Sequence, residues 1–193
     1  MLAARIARAV LSDEGILMSE VMYTTRWNDL TRRPNGGHTW LTLDEARRLY
    51  DSGEGVEIVD ASTRDEDGTL RPLWVIGAEG RFRVQLYTPG GSVARSVDWD
   101  LIDGRLWRWV TREYVYPDDG TQYMEFDAVL ALTTSARPDG TGSFTIRDKE
   151  TGQTHVTEFT DVATDGYWLD VPAFAEWGPL VNASLGAPTG PPS

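Results

Sequence analysis

The spacing of apolar positions along the chain changes period at Val56. Before that point, Leu2, Ile6, Val10 and Leu11 fall on one helical stripe, which predicts a short amphipathic helix. Residues 23–40 are polar and punctuated by Pro34, Gly36 and Gly37, and they read as loop. Thr42-Leu43-Asp44-Glu45 has the pattern of a capping box. Thr42 caps a second helix, Glu45 reaches back to the cap, and helix formers continue to Tyr50 before Gly53 and Gly55 end the run.

From Val56 onward the period is that of strands. Segments near 56–60, 72–77, 80–87, 93–101, 105–116, 121–135, 142–148 and 154–162 carry it. Turn sequences join them: Gly77-Ala78-Glu79-Gly80, Pro89-Gly90-Gly91, Asp103-Gly104, Pro117-Asp118-Asp119-Gly120, Pro138-Asp139-Gly140 and Glu150-Thr151-Gly152. Connections this short make successive strands antiparallel neighbours. The predicted fold is mainly β, of the α+β type, with two short helices preceding the strands. The strands form an antiparallel β-meander of about eight, closing as a curved sheet or an up-and-down barrel.

Three regions follow: an N-terminal helical extension over 1–22, a single β-rich domain over 23–185, and a disordered Gly/Pro tail over 186–193. Met18 and Met22 are alternative starts, which would make the first 17 residues dispensable. Tyr167 to Leu180 is apolar but broken by Pro172, Gly178 and Pro179. It is expected to pack over a sheet edge or barrel mouth.

Turn length sets register, and register sets which side chains share a face. Asp103-Gly104 suits a type I′ turn, placing Ile102 opposite Arg105, Asp100 opposite Trp107, Trp99 opposite Arg108 and Asp98 opposite Trp109. A four-residue loop at Pro117–Gly120 places Arg112 opposite Glu125, Val110 opposite Asp127 and Trp109 opposite Ala128. The Pro138–Gly140 turn places Leu132 opposite Ile146 and Thr134 opposite Phe144. One face then holds Trp107, Trp109, Met124, Phe126, Ala128, Leu130, Leu132, Phe144 and Ile146 as core. The other holds Arg95, Arg108, Arg112, Tyr114, Tyr123, Glu125 and Asp127, with an Arg112–Glu125 ion pair.

One strand conflicts with this map. In 93–101, Asp98 and Asp100 fall on the core face, while Val93, Val97, Trp99 and Leu101 fall on the polar one. Either a β-bulge inverts the strand's parity or something packs on its far side; a bulge or an error of register is the preferred reading.

Composition narrows the function. The 193 residues are 40% hydrophobic and include eight Trp, enough for a real core. The net charge of −12, from 30 acids and 18 bases, repels phosphate backbones and anionic membranes, so neither nucleic acid nor membrane is an expected partner. A basic protein partner is compatible. The absence of Cys removes disulfides, thiolate metal sites and a Cys nucleophile. The N-terminus lacks an uninterrupted apolar region and a cleavage site, so a cytoplasmic location is expected.

Chemistry-bearing motifs are sparse. Asp65-Glu66-Asp67-Gly68 opens like a calcium loop, but the first and twelfth ligand positions would be Thr63 and Trp74. His38 and His155 are too few for a multi-His zinc site, and both read as loop or strand-end histidines without a visible partner. No phosphate loop, nucleophile elbow or dinucleotide fingerprint occurs, so neither a metal nor a cofactor is expected.

Asp98, Asp100 and His155 are the weak catalytic candidates. Trp99, Trp107, Trp109, Arg112, Tyr114, Tyr123 and Glu125 are the candidates for contact with a partner or ligand, since Trp, Tyr and Arg dominate interface hot spots. The expected function is a non-enzymatic acidic protein that binds or neutralises a protein partner, in the manner of an immunity protein or inhibitor. The alternative is a β-barrel that holds an apolar small molecule, or acts on it as a cyclase or isomerase, with interior carboxylates beside an aromatic wall.

Overall fold

The computed structural model describes residues 20–182. The first predicted helix and the Gly/Pro tail lie outside them. The chain runs through β1 (Val21–Thr24), the short pair β2 (Trp27–Asn28) and β3 (Arg33–Pro34), and helix α1 (Leu43–Ser52). It continues with β4 (Val56–Asp60), β5 (Trp74–Ala78), β6 (Phe82–Tyr87), β7 (Val93–Ile102) and β8 (Arg105–Val115). After a long connection come β9 (Leu130–Ala136), β10 (Gly142–Asp148), β11 (Thr154–Phe159), β12 (Trp168–Asp170) and the single turn α2 (Gly178–Val181).

The main sheet is antiparallel and has the order β1-β4-β5-β6-β7-β8-β9-β10-β11, with β12 also paired to β8. It is curved and does not close, so the architecture is an open meander and not a barrel. Its two edges differ. The C-terminal half of β1 is covered on its outer side, because Thr24 bridges to Trp40 and the Leu41 N–H donates to the Tyr23 carbonyl. Among the described residues no strand pairs with the outer side of β11.

Helix α1 forms where the capping box predicts it. The Thr42 side chain accepts from the Glu45 N–H, the Glu45 carboxylate accepts from the Thr42 N–H, and Gly53 closes the helix with φ of 73°. Ala46 and Leu49 face the sheet. They join an inner core made by Val56, Ile58, Ile76, Phe82, Val84, Val97, Trp99 and Leu106, closed over by Trp177 and Leu180. The segment around α2 therefore covers a sheet face, where the sequence predicts cover of an edge or barrel mouth. A smaller outer core of Trp27, Val59, Ala61, Leu70 and Val75 fills the opposite face of β4 and β5. The loops at 27–40 and 61–73 supply that cover. The region read from sequence as loop, 23–40, thus carries the end of β1 and the β2–β3 pair.

Trp99 shows which force dominates the inner core. It is 1% exposed, and its indole N–H has no acceptor among the described residues. Burying an indole removes roughly 200 Å² from water, worth about 5 kcal/mol, against roughly 1–3 kcal/mol for the orphaned donor. Apolar burial prevails.

Two corrections to the predicted sheet matter for the site. First, residues 121–135 do not form one strand. Residues 116–129 connect β8 to β9, with a 3-10 turn over Glu125–Asp127. The backbone there bonds elsewhere: Gly90 N–H donates to Asp119 O, Tyr123 N–H to Ser92 Oγ, and Asp118 Oδ1 accepts from Gly120 and Thr121 N–H. Arg112 therefore opposes Thr133 and not Glu125, and Val110 opposes Ser135 and not Asp127. Met124 and Phe126 are exposed instead of core, and Leu130, Leu132, Phe144 and Ile146 are only half-buried. Second, β7 and β8 pair as predicted from Ile102–Arg105 to Trp99–Arg108, and then the register shifts. Asp98 opposes Val110, leaving Trp109 as the extra residue of a β-bulge, opposite neither Asp98 nor Ala128.

Candidate functional site

The bulge at Trp109 decides where the predicted site residues point. Before it, Leu106 and Arg108 share the inner face with Trp99, while Trp107 shares the outer face with Asp100. Beyond it the parity of β8 inverts, so Val110, Arg112 and Tyr114 join Asp98 on the outer face, and Thr111 and Glu113 turn inward with Val97 and Arg95. Of the two explanations offered for the discordant strand, the packing of α1 and the C-terminal segment on the Trp99 side is present, whereas the bulge at Trp109 lies in β8 and leaves the alternation from Asp98 to Leu101 intact.

On the outer face Asp98 is the best-buried acid of the candidate set, with a side chain 4% exposed. It accepts from Arg83 Nε at 2.6 Å and from Arg112 Nη1. The carboxylate lies between two guanidiniums on adjacent strands, so it is a neutralised cross-strand tie. A general acid or base must reach a substrate proton, and this carboxylate is buried with each oxygen already bonded to a guanidinium. Asp100, half-buried, stands opposite Trp107. Trp107 is buried, donates its indole N–H to Ala136 O at 3.1 Å, and stacks on Tyr167 with ring centroids 5.3 Å apart.

The tyrosines form a separate ladder. Tyr114, Tyr116 and Tyr123 stack in series, with centroids 6.4 Å and 5.5 Å apart. Tyr116 donates to Val93 O and Tyr123 donates to Asp118. Burial, with Glu125 beside its hydroxyl, pushes Tyr114 up to about 12, so it stays a neutral donor through the physiological range. Glu125 thus faces Tyr114 where a contact with Arg112 was expected.

The inner face holds two buried arginines, Arg95 and Arg108. Burial pushes both guanidiniums down from their ordinary value, and this is opposed by Glu113 at 3.4 Å from Arg95 and by Tyr167, whose ring lies 4.3 Å beneath Arg108. They anchor β7, β8 and the Tyr167 turn to one another.

Past β8 the sheet changes character. On its inner face the register aligns Val115 with Leu130, Leu132 with Ile146, Thr134 with Phe144, and Gly142 with Phe159. This makes an apolar row whose members are all half-buried or exposed, whereas α1 lies over β1 and β4, and α2 over β6. The outer face carries Thr133, Ser135, Ser143, Thr145, Arg147 and Glu158. His155 is exposed on β11, its Nε2 3.2 Å from Gln153 Oε1, and lies across β10 from Leu132 at the edge of the apolar row. Trp109, half-buried, lines an open cleft with Ser135, Arg137, Ser143, Glu158 and Phe159.

The structure therefore distributes the predicted residues over several places. Asp98, Arg112 and Tyr114 share the outer face; Tyr123 and Glu125 sit on the loop beside Tyr114; Trp99 is core; Trp107 and Trp109 are carried by the strand on either side of the bulge. Arg83 is the member the sequence reading missed. The signal was there, since Arg83 is the one charged residue of β6, the strand next to the one carrying Asp98. Comparison of the chain with family models, with curated proteins and with solved structures finds no match.

Proposed function

We propose that this chain is a non-enzymatic binding protein that takes a basic protein partner on the inner face of β9–β11. The observation that carries the reading is the unfinished cover of that face. Leu130, Leu132, Phe144 and Ile146 line up across β9 and β10, and none of them reaches full burial. Contiguous exposed apolar surface rimmed by polar groups marks interaction sites. The chain around that face is acidic: eight Asp or Glu and three Arg or Lys lie between residues 125 and 165, and Glu113 stands opposite Leu132 on the face itself. Acidic surroundings steer a basic partner and suppress acidic competitors. Occupying or neutralising that partner, as an inhibitor does, requires no catalytic group. The barrel alternative is less well supported, because the open sheet offers an apolar small molecule no enclosed interior and Asp98 is already held by two arginines.

The test is capture of a protein partner by the immobilised full chain at low and high salt, repeated with Phe144→Glu and with the remote control Glu66→Lys. A salt-sensitive partner retained by wild type and by the control, and lost by Phe144→Glu with its circular dichroism unchanged, is the expected result. Capture indifferent to both salt and Phe144→Glu would refute the reading.

A further inference from the structure

Far from that face, a cleft of about 510 Å³ opens between the β2–β3 turn and the 64–70 loop. The cleft is open to solvent, so a ligand would lie against its walls without being enclosed. Its walls include Met22, Arg33, His38, Trp40, Arg64 and Leu70. Leu70 belongs to the outer core, with Met22 and Trp40 packed against it, so one wall is apolar and rooted in the fold.

The charge of this cleft runs against that of the molecule. Arg32, Arg33 and Arg64 line it against a single carboxylate, Asp67, on a chain of net charge −12. Arg32 is already committed, bonding Asp65 at 2.8 Å and Gly90 O at 2.9 Å, while Arg71 also pairs with Asp65. Asp67 accepts from the Thr69 N–H at 2.9 Å, within its own turn. Arg64 has only uncharged partners in hydrogen-bond reach, Gly68 O at 3.3 Å and the Met22 sulfur at 3.9 Å. Neither Arg33 nor Arg64 forms an ion pair within 4 Å among the described residues. Two guanidiniums beside an indole, with no carboxylate bonded to them, make a site suited to an anion carrying a flat apolar body.

The walls are held in place without a ligand. Thr24 bridges to Trp40 and Arg64 to Leu70. The Thr25 hydroxyl sits 2.6 Å from His38 Nδ1, and Trp27 packs on Trp40 with centroids 6.0 Å apart. Gly36, Gly37 and Gly68 take positive φ at the two rims, where a side chain would be strained. A preformed site loses little ordering entropy on binding.

We infer that this cleft binds a small aromatic anion, a carboxylate or phosphate ester, with Arg33 and Arg64 on the anionic head and Trp40, Met22 and Leu70 against the flat body. The site is independent of the β9–β11 face and would survive the failure of that reading.

The experiment titrates the full chain with 1-naphthyl phosphate and 2-naphthoate. Inorganic phosphate serves as the head alone and 2-naphthalenemethanol as the body alone. Tryptophan fluorescence gives the affinity, and the Trp40 indole and Gly68–Thr69 amide NMR signals give the location. At least one naphthyl anion should saturate with shifts at those signals, and the tighter of the two identifies the head group. Arg33→Ala/Arg64→Ala should weaken it about tenfold or more, with the melting temperature as the fold control, since both side chains are exposed. The proposal is overturned by any one of three results: no saturable binding of either anion, unchanged affinity in the double variant, or inorganic phosphate or 2-naphthalenemethanol alone binding as tightly as the naphthyl anions.

Discussion

Asp98 lies between two arginines of unequal exposure, and the inequality supplies its own control. Arg112 is 31% exposed and Arg83 59%, against 4% for the carboxylate they share. Asp98→Asn keeps the shape, removes the charge and points an amide N–H₂ toward one guanidinium. Breaking a buried ion pair costs roughly 3–5 kcal/mol when the orphaned charge stays buried. Here both arginines can turn to water, which lowers the expected cost to roughly 1.5–3 kcal/mol. In a chain of this length each kcal/mol shifts Tm by roughly 2–4 °C, so a fall of roughly 3–12 °C is expected. Double-mutant cycles then divide the loss. Coupling of Asp98 to Arg112, read with Arg112→Met, should be about 1–2 kcal/mol, and coupling to Arg83, read with Arg83→Met, about 0–1 kcal/mol. Urea unfolding followed by tryptophan emission measures all the variants. A loss under about 0.5 kcal/mol for Asp98→Asn, the range of an ordinary surface change, would refute the argument. So would a coupling to Arg83 larger than that to Arg112.

Two further predictions concern positions where the structure leaves little choice. A Cβ on Gly142 would fall 2.1 Å from Ser135 O and 2.4 Å from the Phe159 ring, so Gly142→Ala should cost about 2–4 kcal/mol. Amide exchange should quicken in β10 and β11 more than in β4–β6; uniform quickening would contradict the local clash. Glu57 accepts from the Trp27 N–H, yet burial prevails over that bond and raises its carboxyl above the ordinary value, with Asp29 adding to the rise. The folded state therefore holds this proton more tightly than the unfolded chain, and the group's stabilising contribution is lost as pH rises through the folded value. Glu57→Gln keeps the acceptor and sheds the charge. It should melt above wild type at neutral pH and converge with it near about pH 4, where both are uncharged. A Tm difference that does not vary with pH would contradict this.

What the sequence disclosed was local. The Thr42–Glu45 box, the Asp103-Gly104 turn and the Pro138–Gly140 turn each set their element, because their geometry depends on a few adjacent residues. The two carboxylates on a face read as apolar marked a real misassignment, since Asp98 and Asp100 lie on the outer face and the core is on the Trp99 side. Residues 121–129 misled because Tyr123-Met124-Glu125-Phe126-Asp127 alternates like a strand while the backbone of Thr121, Tyr123 and Met124 bonds the side chains of Ser92 and Asp127. The Ser92 bonds are fixed only by tertiary folding. The same holds for the site: the Arg83–Asp98–Arg112 tie spans three strands, and the Trp40 cleft joins two loops that are distant in sequence. Neither has a spacing that a linear reading could register.

The two edges of the sheet also govern how copies of this chain can associate. Polymers built through backbone pairing need an open edge at both ends of every unit, so that each addition regenerates the surface that captured it. This sheet offers β11 at one end, while at the other Thr39–Leu41 already takes up Tyr23 and Thr24. Pairing of β11 with the β11 of another copy consumes both open edges in a two-fold pair and leaves nothing to propagate from. Among the described residues, association through β11 is therefore self-terminating.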